Sequence, residues 1–267
     1  MPRVTIKPDT LDAENRRFTT SRLEQPLFLN SVPKSGSHLL RNIIRMFVPV
    51  DQQYQAQFIQ WPNLQQHLAA FDRTKNYLSW GHLLFSDASA IELAGVRKLL
   101  LVRDPYSWVL ARARFFLSEE FQGNIDHVKG GTLSVADMLN LMIFGIYQQT
   151  PPLADIYTHN AVAWLGTGAT LIRYEELLKH LEALESDEAE MYFKTLLQAA
   201  GIALPPDWRA RVTIGSDRKQ SGTARENLTG LALEIPDELP APQKQLVDYA
   251  APGLRALLGY CASTSPV

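Results

Sequence analysis

The stretch Leu27–Leu40, LFLNSVPKSGSHLL, constrains the fold of this chain more than any other feature. The run Leu27–Val32 predicts a buried strand that stops at Pro33, and apolar residues recur with helical spacing from Leu39 onward. Between them lies a short loop of small residues that carries Lys34. A strand, a tight loop and a helix in this order direct backbone N–H groups and the positive end of the helix dipole towards an anion. The lysine adds a full positive charge, so the sequence predicts a site for a phosphate or sulfate group here.

Strands and helices alternate along the rest of the chain. Apolar segments predict further strands at Tyr77–Leu84, Val96–Val102 and Ala169–Tyr174. Helical patterns follow the last two, and Asp104 is suited to cap one of these helices. This alternation is typical of a parallel sheet covered on both sides. We therefore expect a three-layer α/β fold with a mainly parallel central sheet and helices on both faces.

The composition and the charge of the chain indicate an ordinary globular protein. The chain has 267 residues, of which 46% are apolar and 20% charged, as in ordinary globular proteins. The formal net charge of -2 does not favour a nucleic-acid surface. A single cysteine, Cys261, fits a reducing compartment, and neither a signal segment nor a membrane span is evident. We expect a cytoplasmic protein with a polar N-terminal arm (1–24), one α/β domain (25–267), and no nucleic-acid or membrane partner.

The lysine loop differs from a Walker A loop, in which the lysine follows the second glycine. Its residues are Pro33, Lys34, Ser35, Gly36, Ser37, His38 and Leu39. This order resembles the 5′-phosphosulfate loop of the cytosolic-type and bacterial small-molecule sulfotransferases, Pro-Lys-Ser-Gly-Thr-Thr-Trp-Leu. The resemblance implies that residues 34–39 bind the donor 3′-phosphoadenosine 5′-phosphosulfate (PAPS). Because Leu39 stands at the tryptophan, the adenine would need another contact. The alternative is an ordinary strand-to-helix turn with a surface lysine.

A histidine lies at the predicted end of the second strand. The segment Gly81–Leu83 resembles the Thr-His-Leu segment that carries the catalytic histidine of the same family. A neutral imidazole can accept a proton from a hydroxyl or an amine near pH 7. The resemblance implies that His82 is the base and that Lys34 stabilises the leaving group. The alternative is a structural histidine at a strand end.

An arginine follows the third strand. Val102–Pro105 resembles the segment of the family that binds the 3′-phosphate, and a guanidinium can hold a phosphate through two parallel hydrogen bonds. The resemblance assigns Arg103 to this phosphate. The phosphate-binding serine of the family falls on Ala111, which lacks a hydroxyl. Arg112 or Ser107 could replace it.

Two later segments complete the resemblance. Ile172–Glu176 is similar to the Tyr-Glu-Asp segment whose tyrosine contacts the adenine, which assigns that contact to Tyr174. Arg218–Gly222 resembles the Arg-Lys-Gly loop that closes over the 3′-phosphate, with Gln220 in place of the first glycine. Three residues are assigned to this phosphate: Arg218, Lys219 and Gly222. The alternative is an exposed charged loop.

The segment YTHNAVAWL is similar to the family's helix beside the acceptor pocket, which makes His159 and Trp164 candidate acceptor contacts along with His82. Together the motifs predict transfer of a sulfuryl group from PAPS to a hydroxyl or amine of a small-molecule acceptor, with 3′-phosphoadenosine 5′-phosphate (PAP) as product and no metal. Two alternatives stay open: a P-loop kinase, with Asp104 as the nearest Walker B candidate, and an inactive nucleotide-binding protein of the same fold. The oligomeric state also stays open.

Overall fold

The structure, a computed structural model, describes residues 3–4, 8–55, 58–118, 121–122, 125–221 and 233–260. Gly222 and Cys261 lie outside these residues. The strands are β1 (Arg3–Val4), β2 (Leu27–Ser31), β3 (Ile59–Gln60), β4 (Leu78–His82), β5 (Arg97–Val102), β6 (Phe121–Gln122) and β7 (Ala169–Arg173). The helices are α1 (Leu11–Asn15), α2 (Ser37–Arg45), α3 (Asp87–Glu92), α4 (Pro105–Leu117), α5 (Asp126–Lys129), α6 (Val135–Phe144), α7 (Leu153–Asn160), α8 (Tyr174–Glu182), α9 (Asp187–Ala199), α10 (Trp208–Ser216), α11 (Ala241–Ala250) and α12 (Leu254–Leu257).

The chain divides into two compact units. The sheet unit comprises Lys7–Val102 and His159–Ala224, and the helical unit comprises Met1–Ile6, Arg103–Thr158 and Arg225–Val267. No helix in the described ranges is both long enough and apolar enough to cross a membrane.

The sheet unit is built on five parallel strands in the order β3-β4-β2-β5-β7. The predicted α/β fold with a parallel sheet is confirmed. Strand β2 is central and all five of its residues are buried, as expected for a strand covered on both faces. Its Leu29 is paired with Trp80 of β4 on one side and with Leu99 of β5 on the other. The two-residue edge strand β3 was not predicted, because so short a segment has no readable periodicity.

The core of the sheet unit joins α2 to α10. The two helices approach closely at Gly215, where a Cβ atom would lie 2.6 Å from the Cα atom of Ile43. The segment before β2, expected as a polar arm, contributes Leu11 and Leu23 to this core. The buried Asn15 amide of α1 donates to the carbonyl oxygens at the end of α2 and just beyond it, at 2.7 and 3.1 Å. This segment is therefore packed against α2.

The helical unit packs α4, α6 and α11 together. Helix α4 begins as predicted, since the carboxylate of Asp104 accepts a hydrogen bond from the Tyr106 N–H at 3.0 Å. The same carboxylate receives two hydrogen bonds from Arg255, at 2.9 and 2.8 Å, which holds α12 against the start of α4. Arg112 is 3% exposed and donates to the carbonyl oxygens of Met142 and Pro151. The Arg112 guanidinium therefore forms its hydrogen bonds within the helical unit.

Candidate active site

The loop after β2 turns sharply into α2. Lys34 and Gly36 both adopt left-handed backbone conformations, with φ of 67° and 90°, and a residue with a side chain pays roughly 1–3 kcal/mol for this. Gly36 is the N-cap of α2 and offers no side chain to cap it. The N–H groups of the first helical turn, Ser37–Leu39, have no intrahelical acceptor. The loop therefore combines uncapped backbone donors with a lysine held in a costly conformation.

A buried hydroxyl lies in the same loop. Ser35 is 0% exposed, and its Oγ has no hydrogen-bond partner within the described part of the chain. A buried polar atom without a partner is costly and calls for a ligand or a water. The ring of Tyr174 covers the loop from the start of α8: a Cβ atom on Gly36 would lie 2.5 Å from its Cδ2 atom. The uncapped N–H groups and the orphan hydroxyl of the loop fit an anion, and the contact of Tyr174 with an adenine stays a prediction.

Burial lowers the pKa of the Lys34 amine from 10.5 to about 7. An ammonium that has lost water gains most from a bound anion, because an opposite charge favours the protonated form. Lys34 is thus poised to gain a proton when an anion binds.

His82 ends β4 and is fixed by the neighbouring strand. Its Nδ1 atom lies 3.0 Å from the carbonyl oxygen of Ser31 and 2.9 Å from the Ser31 hydroxyl. A carbonyl oxygen can only accept, so Nδ1 carries the proton and Nε2 keeps a free electron pair. Burial, reinforced by the nearby charge of Lys34, lowers the pKa of His82 to about 3. The imidazole is therefore neutral at neutral pH, in the tautomer that a base requires.

A second polar residue of β2 holds the chain just beyond the histidine. The buried Asn30 amide donates to the Leu83 carbonyl at 3.1 Å and accepts from the Leu83 N–H at 2.8 Å. The indole of Trp164, 2% exposed, donates to the same carbonyl at 3.1 Å. Trp164 supports the end of β4, and its contact with an acceptor stays a prediction. So does that of His159, which is exposed and whose carbonyl oxygen accepts from the N–H of Phe85.

Arg218 and Lys219 form a short 3-10 turn that is tied to α2. Asn42 of α2 donates to the Gln220 carbonyl at 3.0 Å. The Gln220 side chain accepts from the Thr10 N–H at 2.9 Å and donates to its hydroxyl at 2.8 Å. Gln220, noted in the sequence as a departure from a glycine, thus anchors the two cations.

Arg103 belongs to the helical unit and directly follows β5. Its Nε lies 3.0 Å from the Ser107 hydroxyl, and its carbonyl oxygen accepts from the Tyr157 hydroxyl at 2.7 Å. Of the two candidates for the missing serine contact, Ser107 adjoins Arg103, whereas Arg112 is held by carbonyl oxygens.

The sequence resemblance assigns no role to Asn30 and Ser31, although two polar residues within an otherwise apolar strand were the available signal. It also assigns no role to Phe58, whose ring contacts His82, or to Trp80, whose ring contacts Phe58. Trp80 precedes His82 by two positions and so shares its face of β4. This spacing was the signal in the sequence that could have identified Trp80. Phe58 comes from a stretch without pattern, and only the tertiary structure brings it there.

Comparison with known protein families gives no match, and comparison with curated protein sequences gives none either. Among solved structures, the fold is similar to that of mouse sulfotransferase SULT7A1 in its complex with PAP. The two chains are 15% identical with a TM-score of 0.56, and the match covers 96% of this chain and 95% of that chain. The chain therefore has a sulfotransferase-like α/β fold with a five-stranded, all-parallel sheet.

Proposed function

We propose that the protein is a PAPS-dependent sulfotransferase that modifies a hydroxyl or amine of a small-molecule acceptor. The observation that carries the proposal is the placement of His82: its Nδ1 atom lies 3.0 Å from the carbonyl oxygen of Ser31, on the strand that leads into the lysine loop, and this contact assigns the proton to Nδ1. Sulfuryl transfer needs a base beside the acceptor and a cation beside the leaving group, and here His82 ends β4 while Lys34 lies in the loop after the neighbouring β2. The fold likeness to a sulfotransferase supports this assignment.

The donor site uses the features of the loop. The backbone N–H groups of residues 36–39, the Ser35 hydroxyl and the Lys34 ammonium would hold the 5′-phosphosulfate, and Tyr174 would contact the adenine. We assign the anchored pair Arg218 and Lys219 to the 3′-phosphate, and the sequence resemblance adds Arg103. When bound, PAPS supplies the activated sulfuryl group.

Two residues of the chain then act on the acceptor's proton and on the charge of the leaving group. His82 accepts the acceptor's proton at Nε2 as the new bond forms. The Lys34 ammonium stabilises the negative charge that develops on the leaving phosphate oxygen as its bond to sulfur breaks.

The test is transfer from PAPS to a panel of phenols, alcohols and amines, read by mass spectrometry in the presence of EDTA. We expect sulfated product, and a loss of at least about a hundredfold in turnover for His82→Gln, with PAP binding confirming that this variant is folded. Magnesium-dependent transfer from ATP, or PAP binding without transfer to any acceptor, would contradict the proposal.

A further inference from the structure

We propose that Arg41 recognises an anionic group on the acceptor, so that the preferred acceptor carries a carboxylate or similar anion near its nucleophile. This inference rests on the proposed function. It concerns the face of β4 that bears His82, together with the adjoining face of α2.

An aromatic wall leads away from His82. The ring of Phe58 meets the rings of His82 and Trp80 edge-on, with centroids 4.6 and 4.8 Å apart. The ring of His38 on α2 also contacts the Trp80 ring, with centroids 4.8 Å apart. These rings are partly exposed, so a planar ligand at His82 could contact them.

Arg41 lies at the end of this wall. Its Cζ atom is 4.7 Å from the centroid of the Trp80 ring, which fixes the guanidinium through a cation–π contact. The next arginine on the same helix, Arg45, is compensated by Asp9 at 2.8 Å and Asp12 at 2.7 Å. Within the part of the chain that the structure describes, no carboxylate lies within 4.0 Å of Arg41.

The charge on Arg41 is costly as it stands. Burial and then the neighbouring Arg45 lower the pKa of Arg41 to about 10, while the charges of Asp9 and Asp12, which form their ion pairs with Arg45, act in the opposite direction. A partly buried cation that no described carboxylate contacts directly gains from binding an anion. A guanidinium also suits a planar carboxylate, which it can hold through two parallel hydrogen bonds.

The order of the strands places Arg41 beside β4, the strand that bears the proposed base, and away from the β7 edge, where Tyr174 covers the lysine loop. The lysine loop follows β2, and Tyr174, which follows β7 at one edge of the sheet, covers Gly36. Arg41 instead contacts β4, towards the opposite edge, through the same strand face as the base. An anion at Arg41 therefore belongs to the molecule that His82 deprotonates.

The test compares 4-hydroxyphenylacetate with 4-methylphenol, which share the phenol nucleophile and differ in the carboxylate. We expect wild-type kcat/KM to favour the carboxylate at least about tenfold, the scale of one charge-assisted hydrogen bond. Arg41→Gln should lower this ratio at least about tenfold, and Arg41→Lys should lower it less. Arg22→Gln, which removes an exposed ion pair with Asp51, is the matched control and should not change the ratio.

Other outcomes would overturn the inference. Equal use of both phenols by the wild type, or an unchanged ratio in Arg41→Gln, removes Arg41 from acceptor recognition. A parallel loss of PAP affinity in Arg41→Gln would place Arg41 in the donor site instead. If neither phenol is sulfated, the acceptor panel still decides the proposed function, and titration of both phenols by NMR tests Arg41 separately: equal affinities in wild type and Arg41→Gln would refute its role.

Discussion

Raising the pH removes the proton from Lys34 in the free protein, because burial lowers the pKa of its amine to about 7. The protonated fraction falls from about one quarter at about pH 7.5 to about one hundredth at about pH 9, whereas an ordinary lysine stays charged throughout. If PAP binds only the ammonium form, its Kd rises about 25-fold over this interval. A lysine with an ordinary pKa predicts no such change.

The direction of the pH effect on PAP affinity follows from the protonation of Lys34 in the free and the PAP-bound protein. PAP favours the protonated lysine and so raises its pKa, which means that binding takes up a proton and weakens as the pH rises. The ligand's phosphates, with a second pKa of about 6, are already ionised in this interval. The neighbouring imidazoles do not titrate there either, because burial lowers the pKa of His38 to about 4 and that of His82 to about 3.

Isothermal titration calorimetry with PAP measures the effect. Runs in two buffers of different ionisation enthalpy give the proton uptake directly. Lys34→Arg keeps its charge at every pH tested, so its affinity should be flat, while Lys34→Gln should bind weakly and also show a flat profile. A flat Kd for the wild type, or no proton uptake above about pH 7.5, would refute the assignment of a lowered pKa to Lys34.

Three further predictions concern parts of the same unit. Replacing Arg218 and Lys219 together by alanine should lower the preference for PAP over 5′-AMP at least about tenfold in calorimetry, and equal affinities in the wild type would contradict their role. Gly36→Ala places a Cβ atom 2.5 Å from Tyr174, so we expect a lower thermal midpoint and weaker PAP binding; a wild-type midpoint would show that the ring moves freely. Asn30→Ala leaves the Leu83 N–H without its partner, while the Leu83 carbonyl keeps the Trp164 indole, and should cost about 1–3 kcal/mol in urea unfolding; a change within error would show that water replaces the amide.

The parts of the fold that the sequence predicted are local. A buried strand, its stop at Pro33 and the following helix lie within one short stretch, so apolar spacing is enough to place β2 and α2. The same holds for β4, β5 and β7 and for the cap at Asp104. The lysine loop could be predicted because the strand and the helix that flank it are both encoded locally.

The parts that escaped prediction depend on distant contacts. Strand β3 exists because the backbone at Ile59 approaches Gly81, where a Cβ atom would lie 1.9 Å from the Ile59 carbonyl oxygen. Gln220 anchors its turn to Thr10, from the opposite end of the sheet unit's sequence. No local pattern encodes such pairs, so Gln220 could be noted only as a departure from glycine.

Asn30 and Ser31 show how a departure from an apolar pattern marks a site. A central strand buried on both faces accepts polar side chains only where each has partners. Asn30 bonds the chain after His82, and Ser31 sets its tautomer, so both join β2 to β4 at their carboxyl ends. Since β2 also leads into the lysine loop, one pair of adjacent strands fixes base and cation together. Rigid elements hold such groups more precisely than loops do. Changes in Phe58 or Arg41 could therefore alter the acceptor while the transfer geometry is retained.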